Sequence, residues 1–200
     1  RFREDVRAAR RLLAEGRIGE VRMARHVRLG PVGAAYRGGW RFAEPRFLSY
    51  ILDGGVHEAD LLRTLLGEPA EVHAWPFKMD PGLPGPDTVV AVVRFGGDVV
   101  AEVTMSFASS VLQEETRTVI HGTGGQLQLS RGQVDLVTPG HADTYRFPGM
   151  DPFRDEFLHF FEVLRCGAEL EMTPEEGMRD LRLALAWVRP GTTRIPAGPE

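Results

Sequence analysis

Cysteine, lysine and long apolar runs are nearly absent from this chain, and each absence removes a class of function. One cysteine, Cys166, cannot close an intramolecular disulfide, so no disulfide framework is expected and the composition suits the cytoplasm rather than an oxidising compartment. Lys78 is the sole lysine among 24 basic residues, which leaves one position for lysine chemistry. The densest apolar stretch, around Val89 to Val93, falls far short of the ~20 residues that span a bilayer, so no membrane segment is expected. A net charge of −4 supplies no positive field for counterion release, which argues against nucleic acid as a partner. No Gly-x-Gly-x-x-Gly stands between a strand and a helix, so the chain carries no dinucleotide fingerprint. It opens on Arg1 without a basic-then-apolar leader, which reads as a piece of a longer polypeptide.

What is present describes one globular domain of 200 residues with enough apolar content (42%) for a core. Helical spacing of Val6, Ala9, Leu12 and Leu13 predicts a helix over 4–15, stopped by Gly16. Residues 20–29 alternate Val21, Met23 and Val27 with Arg22, Ala24, His26 and Arg28, a strand with one wetter face. Residues 30–47 have no period and many glycines and prolines, a loop long enough to be functional rather than a mere connection. A helix follows over 48–66, ended by Gly67. Seven short alternating runs between 70 and 147 then read as an antiparallel meander, with Gly122-Thr123-Gly124-Gly125 as a hairpin turn rather than a phosphate loop. Asp151-Pro152 and Thr173-Pro174-Glu175-Glu176 each announce a helix, and 190–200 reads as a turn-rich tail. Helices before and after a block of strands indicate an α+β domain: an open, mostly antiparallel sheet with helices on one face. About seven strands have two faces and these helices cover one, so the other is expected to bury apolar side chains in a second copy or to stay wet.

The segment Asp53-Gly54-Gly55-Val56-His57-Glu58-Ala59-Asp60 holds the candidate chemistry. On a helix, Asp53, His57 and Asp60 fall within roughly 60° of one another and opposite the leucine stripe, with Thr64 extending the patch. A carboxylate one turn before an imidazole suits proton transfer on an alcohol or carbonyl, and equally describes a solvated i,i+4 pair. Gly54 and Gly55 cost about 1 kcal/mol each in a helix. Close packing explains Gly55 on the leucine stripe; Gly54 has no such reason, leaving a helix that starts near Val56 or a ligand against the backbone. A metal reading of the same three residues has no support from the scattered remaining histidines, and no metal is assigned. Ser106, Ser109 and Ser110 lack elbow glycines, and Cys166 sits at a helix end; none is assigned as a nucleophile.

Nearly end to end, the chain resembles the second domain of the Gfo/Idh/MocA oxidoreductases. The resemblance rests on Arg1-Phe2 with Gly16-Arg17-Ile18-Gly19-Glu20-Val21, then Gly38-Gly39-Trp40-Arg41, the Asp53-to-Asp60 segment, and Leu66-Gly67-Glu68-Pro69-Ala70-Glu71-Val72, in that order. It implies that residues 1–16 join to an N-terminal dinucleotide-binding domain absent from this chain, while residues 17–200 bind substrate and build subunit contacts. It further implies hydride transfer between NAD or NADP, held mainly by that other domain, and a sugar, inositol or related polyol. Asp53 would bind a substrate hydroxyl and orient His57, which would take or return the proton. Asp60, Trp40 and Arg41 would line the substrate pocket, and the assembly would be a homodimer or homotetramer through the sheet face. The family's Glu-Lys-Pro lysine is missing, and Phe47-Leu48-Ser49 replaces the glycine-rich stretch before Asp53. This chain alone is therefore expected to be inactive. Two other readings stand beside it: a nonenzymatic binding or assembly module derived from the domain, and an NAD-dependent glycosidase of the same family.

Overall fold

The computed structural model describes residues 1–31, 49–108 and 114–196. A nine-stranded sheet forms its centre: β1 (Val21–Leu29), β2 (Pro69–Phe77), β3 (Thr88–Phe95), β4 (Val100–Ser106), β5 (Glu115–Gly122), β6 (Gly125–Ser130), β7 (Gln133–Thr138), β8 (His141–Arg146) and β9 (Gly191–Arg194). Among the described residues four α-helices accompany it: α1 (Glu4–Ala14), α2 (Tyr50–Leu66), α3 (Pro152–Cys166) and α4 (Pro174–Trp187). Spatial order is β8-β7-β6-β5-β1-β4-β3-β2-β9, antiparallel throughout except for the β1–β4 pair. The open, mostly antiparallel α+β architecture expected from the sequence is thus the one observed.

Two topological features correct the simple meander. β1 inserts between β4 and β5, so two hairpin series meet on a strand that precedes both in the chain. The tail read as turns contains β9, which pairs Glu71 with Arg194 and Ala74 with Gly191 at the β2 edge. The turn between β5 and β6 is the expected hairpin. It packs so closely on the end of α1's connection that a Cβ at Gly122 would stand 2.1 Å from the Ile18 carbonyl oxygen.

The helices begin and end where local chemistry dictates. Ser49, Asp151 and Thr173 each accept a hydrogen bond from the backbone N–H three residues on, capping α2, α3 and α4. Gly167 closes α3 in the left-handed region. α2 runs unbroken through Asp53, Gly54 and Gly55, which removes the alternative of a start near Val56. Gly54 has a packing reason after all: a Cβ there would lie 2.9 Å from the Phe107 ring, whereas at Gly55 the nearest atoms, on Trp187, are at 3.6 Å. One core runs between the inner sheet face and α1, α2 and α4, with Ile51, Leu62, Val89, Val103, Met105 and Trp187 fully buried. Among the described residues no helix is long and apolar enough to cross a membrane.

The alternation in β1 has the opposite sense to the one its hydrophobicity suggests. Its wetter set turns inward: Ala24 and His26 are fully buried, while Met23 is 45% exposed on the open face. That inward turn brings two polar side chains of the sheet beneath α2.

Candidate active site

α2 carries the Asp53-to-Asp60 segment across the inner sheet face, with Gly55, Ala59 and Leu62 against the core. His57 is exposed and Asp53 and Asp60 are half-buried, so the expected polar face exists and points away from the leucines. His57 and Asp60 line a cavity of about 640 Å³ together with Val56, Arg1, Phe2 and, from α3, Phe153. Asp53 lies on the same helix face, one turn before His57, outside that wall. Trp40 and Arg41 lie outside the described residues, as do the rest of 32–48 and Ser109 and Ser110.

Asp60 is held by Arg1, whose side chain donates from Nε at 2.8 Å and more closely from Nη2. Burial would raise the Asp60 carboxyl; the hydrogen bonds and charge of Arg1 outweigh it and hold the group below its ordinary value. Asp60 is therefore an ionised wall residue already engaged by a guanidinium.

Glu58, the residue after His57, is the site residue that periodicity alone did not single out. It faces the sheet, where Nε2 of buried His26 stands 3.1 Å from its Oε2 in an electrostatic contact poorly aligned as a hydrogen bond. On its other side, His26 Nδ1 is 2.9 Å from the Thr118 hydroxyl of β5. A ring protonated at Nε2 matches both neighbours, an acceptor carboxylate and a donor hydroxyl. Arg28 Nε approaches the second Glu58 oxygen at 3.8 Å, its guanidinium 5.6 Å from the Phe107 ring centroid. Burial pushes the Glu58 carboxyl up, but His26, Arg28 and Arg3 together bring it below its ordinary value. Glu58 also lines a second, polar cavity of about 470 Å³, whose wall includes Arg3, Arg28, Arg131, Glu114 and Thr116. The available signal was the identity of the inner set in β1: Ala24, His26 and Arg28 alternate in register with nothing apolar large enough to be a core face.

α2 is pinned to α4 by a buried ionic cluster. Arg63 donates to Glu68 at 2.6 Å, to Glu176 at 2.9 Å and to Asp180 at closer range. Burial, reinforced by the charge of Asp60, pushes Asp180 up to about 6 against the pull of Arg63 and Arg1, and its Oδ2 has no hydrogen-bond partner. Among the described residues no group of three or more His, Cys, Asp or Glu is arranged to hold a metal ion.

The nine-stranded open sheet and the helix that crosses its inner face have counterparts among known proteins. The profile of the GFO/IDH/MocA C-terminal domain matches residues 6–128, and the chain belongs to that family. A 1,5-anhydro-D-fructose reductase of Ensifer adhaerens is 32% identical over 94% of this chain and 58% of its own length. An oxidoreductase structure from Thermotoga maritima superposes with a TM-score of 0.84 at 24% identity, covering 95% of this chain and 58% of that one. A levoglucosan dehydrogenase, solved with NADH and levoglucosan, superposes with a TM-score of 0.82 at 20% identity, covering 94% of this chain and 62% of that one. The chain thus spans about three fifths of the length of these proteins.

Proposed function

We propose that residues 17–200 are the substrate-binding and oligomerisation half of an NAD(P)-dependent oxidoreductase. Residues 1–16 are the helical join to a nucleotide-binding domain. The reaction is hydride transfer between nicotinamide and a carbinol carbon of a sugar, inositol or related polyol. The observation that carries this reading is His57, an exposed imidazole on the wall of a mainly apolar cavity whose volume lies within the ~300–1,000 Å³ range of small-molecule sites. The reductase and the levoglucosan dehydrogenase support a sugar as substrate class.

The described helix starts of this chain do not fit a dinucleotide's phosphates. Every described α-helix has acidic residues in its first turn, Glu4 and Asp5, Asp53, Asp155, and Glu175 with Glu176, where a pyrophosphate would meet negative charge. NAD or NADP is accordingly held by the other domain and supplies the hydride acceptor or donor when bound.

This chain's part is proton handling and orientation. In the oxidation, His57 takes the hydroxyl proton as the C–H bond gives up its hydride; in the reduction it returns that proton to the forming alkoxide. Asp53, one turn earlier, accepts a second substrate hydroxyl and fixes which carbon is presented. Asp60, kept ionised by Arg1, accepts a further hydroxyl.

In the full-length gene product, His57→Asn should lower kcat by roughly 10²–10⁴-fold with a small change in KM. Asp53→Asn should lower kcat and raise KM together. Near-normal turnover in both variants, measured on the substrate the enzyme uses best, would reduce the polar helix face to a solvated surface.

A further inference from the structure

The Nε–Nη2 edge of an arginine is a planar fork that fits one carboxylate, and Arg1, Arg3 and Arg63 close theirs on Asp60, Asp5 and Glu68 in turn. Arg28 leaves its fork open. Its Nε stands 3.8 Å from Glu58 and its Nη2 3.8 Å from Glu114, both beyond hydrogen-bond reach, while Nη1 donates to the Leu29 carbonyl at 3.1 Å. The side chain is nonetheless mostly buried, 21% exposed, so two unused donors on a charged group are costly unless something completes them. Gly30 makes room for this guanidinium: a Cβ there would stand 2.6 Å from Arg28 Nη1. Arg28 lines the polar cavity of about 470 Å³, where the register sets Thr116 of β5 directly opposite it. Arg131 enters the same wall from the turn between β6 and β7, exposed and without a carboxylate partner among the described residues.

We propose that this cavity is a subsite for an anionic group of the substrate, a carboxylate or a phosphate, so that the molecule presented to His57 is an acidic sugar derivative rather than a neutral polyol. The inference rests on the reading above that His57 handles the proton of a sugar hydroxyl. The Arg28 fork offers two parallel donors in the geometry that an oxyanion fits bidentately, and Thr116 adds a hydroxyl from the neighbouring strand. The Glu114 carboxylate, on a side chain 65% exposed, holds the place near Nη2 that a ligand anion takes once Glu114 turns out to solvent. Glu58 stays with His26, 3.1 Å away, and Arg3 stays with Asp5. With Glu114 withdrawn, Arg3, Arg28 and Arg131 face Glu58 and Asp5, and the excess positive charge suits one anionic group. Arg3, Glu58 and Pro152 border both this cavity and that of His57, so one molecule reaches the two. Holding the anion at Arg28 then fixes which hydroxyl arrives at His57.

The experiment uses the full-length gene product and pairs of substrates that differ in the acidic group, D-gluconate with D-glucitol and further aldonates and sugar phosphates with their neutral counterparts. The readout is the ratio of kcat/KM for the acidic member to that for the neutral one, in wild type, Arg28→Met, Arg28→Lys and Arg131→Met. The subsite predicts a wild-type ratio of at least about 30, lowered at least about 10-fold by Arg28→Met and about 3-fold by Arg131→Met, with the loss falling on KM. Arg28→Lys keeps the charge without the fork and recovers only part of the ratio. A general loss of packing lowers both members of a pair alike and leaves the ratio unmoved. Arg131 is exposed, so its variant keeps the test intact where Arg28→Met disturbs the contact with Phe107. A large ratio for aldonates assigns a carboxylate, and one confined to sugar phosphates assigns a phosphate. A wild-type ratio near unity, or one that none of the variants moves, would overturn the subsite and leave the proposed function standing. Turnover of neither class with NAD or NADP overturns both readings.

Discussion

His26 Nε2 lies 3.1 Å from Glu58 Oε2, joining a fully buried strand residue to the residue that follows His57 on α2. Two polar groups there displace the apolar contacts that would otherwise pack helix on sheet, and burying them is costly unless each keeps the other. His26→Ala removes this partner from a carboxylate that Arg28 still approaches at 3.8 Å, and is expected to cost roughly 1–3 kcal/mol, measured by denaturant unfolding. Glu58 has a depressed folded pKa, so its contribution is fully present above its unfolded value near 4.5 and is lost as pH falls through the folded one. The difference in Tm between wild type and Glu58→Gln should be constant from pH 6 to 8 and shrink below pH 4.5. A difference that grows on acidification would contradict the pairing.

Asp180 makes the opposite prediction. Its folded pKa is raised to about 6 from 3.8, so the folded state binds its proton more tightly than the unfolded chain does. Between those two values stability falls as pH rises, and above about 6 the full penalty is in place. Asp180→Asn removes that slope while keeping an acceptor for Arg63. Its Tm relative to wild type should therefore climb between pH 4 and pH 6 and level off above. A relative Tm that is flat across this range would mean that Arg63 holds Asp180 ionised throughout.

The two glycines of α2 separate cleanly by substitution. Alanine at either position recovers about 1 kcal/mol of helix propensity. At Gly55 the new methyl meets Trp187 at ordinary contact distance, and Gly55→Ala should be neutral or stabilising by up to about 1 kcal/mol. At Gly54 it collides with the Phe107 ring at 2.9 Å, and overpacking of about 1–3 kcal/mol should exceed the gain. Gly54→Ala is thus net destabilising, and Phe107→Leu in the same chain should relieve most of the loss. Equal Tm values for the two single variants would remove the packing account of Gly54.

Local signals were legible because they are written in contiguous residues. Asp151 and Thr173 caps with Pro152 and Pro174 at helix starts, and Gly67 and Gly167 at helix ends, need no tertiary information. The place of β1 between β4 and β5 was not legible, since a parallel pair between strands about 75 residues apart leaves no periodic trace. β9 escaped because four residues, Gly191–Arg194, are too few to show alternation. In β1 the alternation was visible but its sense was not: Met23 and Val27 looked like the core set, and only the position of Glu58 on α2 explains why His26 and Arg28 turn inward instead. The role of Gly54 likewise depended on Phe107, a residue in a different element and over 50 positions away.

The open sheet face carries the remaining prediction. Trp75, Val90, Val92, Val100 and Met23 are exposed on four adjacent strands, and the register sets Trp75 beside Val90 and Met23 beside Val100. The same face also holds Arg25 and Glu102, paired at 3.0 Å, so it is apolar with a satisfied charge pair rather than uniformly wet. α1, α2 and α4 all pack on the other side, and no segment of the described residues covers this one. A second copy placed face to face is predicted to cover this surface, giving the homodimer or homotetramer that the family resemblance implies. Sedimentation velocity on the full-length gene product at micromolar concentration should report a dimer or tetramer. Trp75→Glu and Val92→Arg, each placing an unpaired charge in the buried interface, should weaken association by at least about 10-fold, equivalent to about 1.4 kcal/mol. Because these side chains lie outside the core of the protomer, the monomers should keep the helical and strand content of the wild type by circular dichroism. A wild-type protein that stays monomeric at these concentrations, or variants that leave the association constant unchanged, would assign this face to solvent.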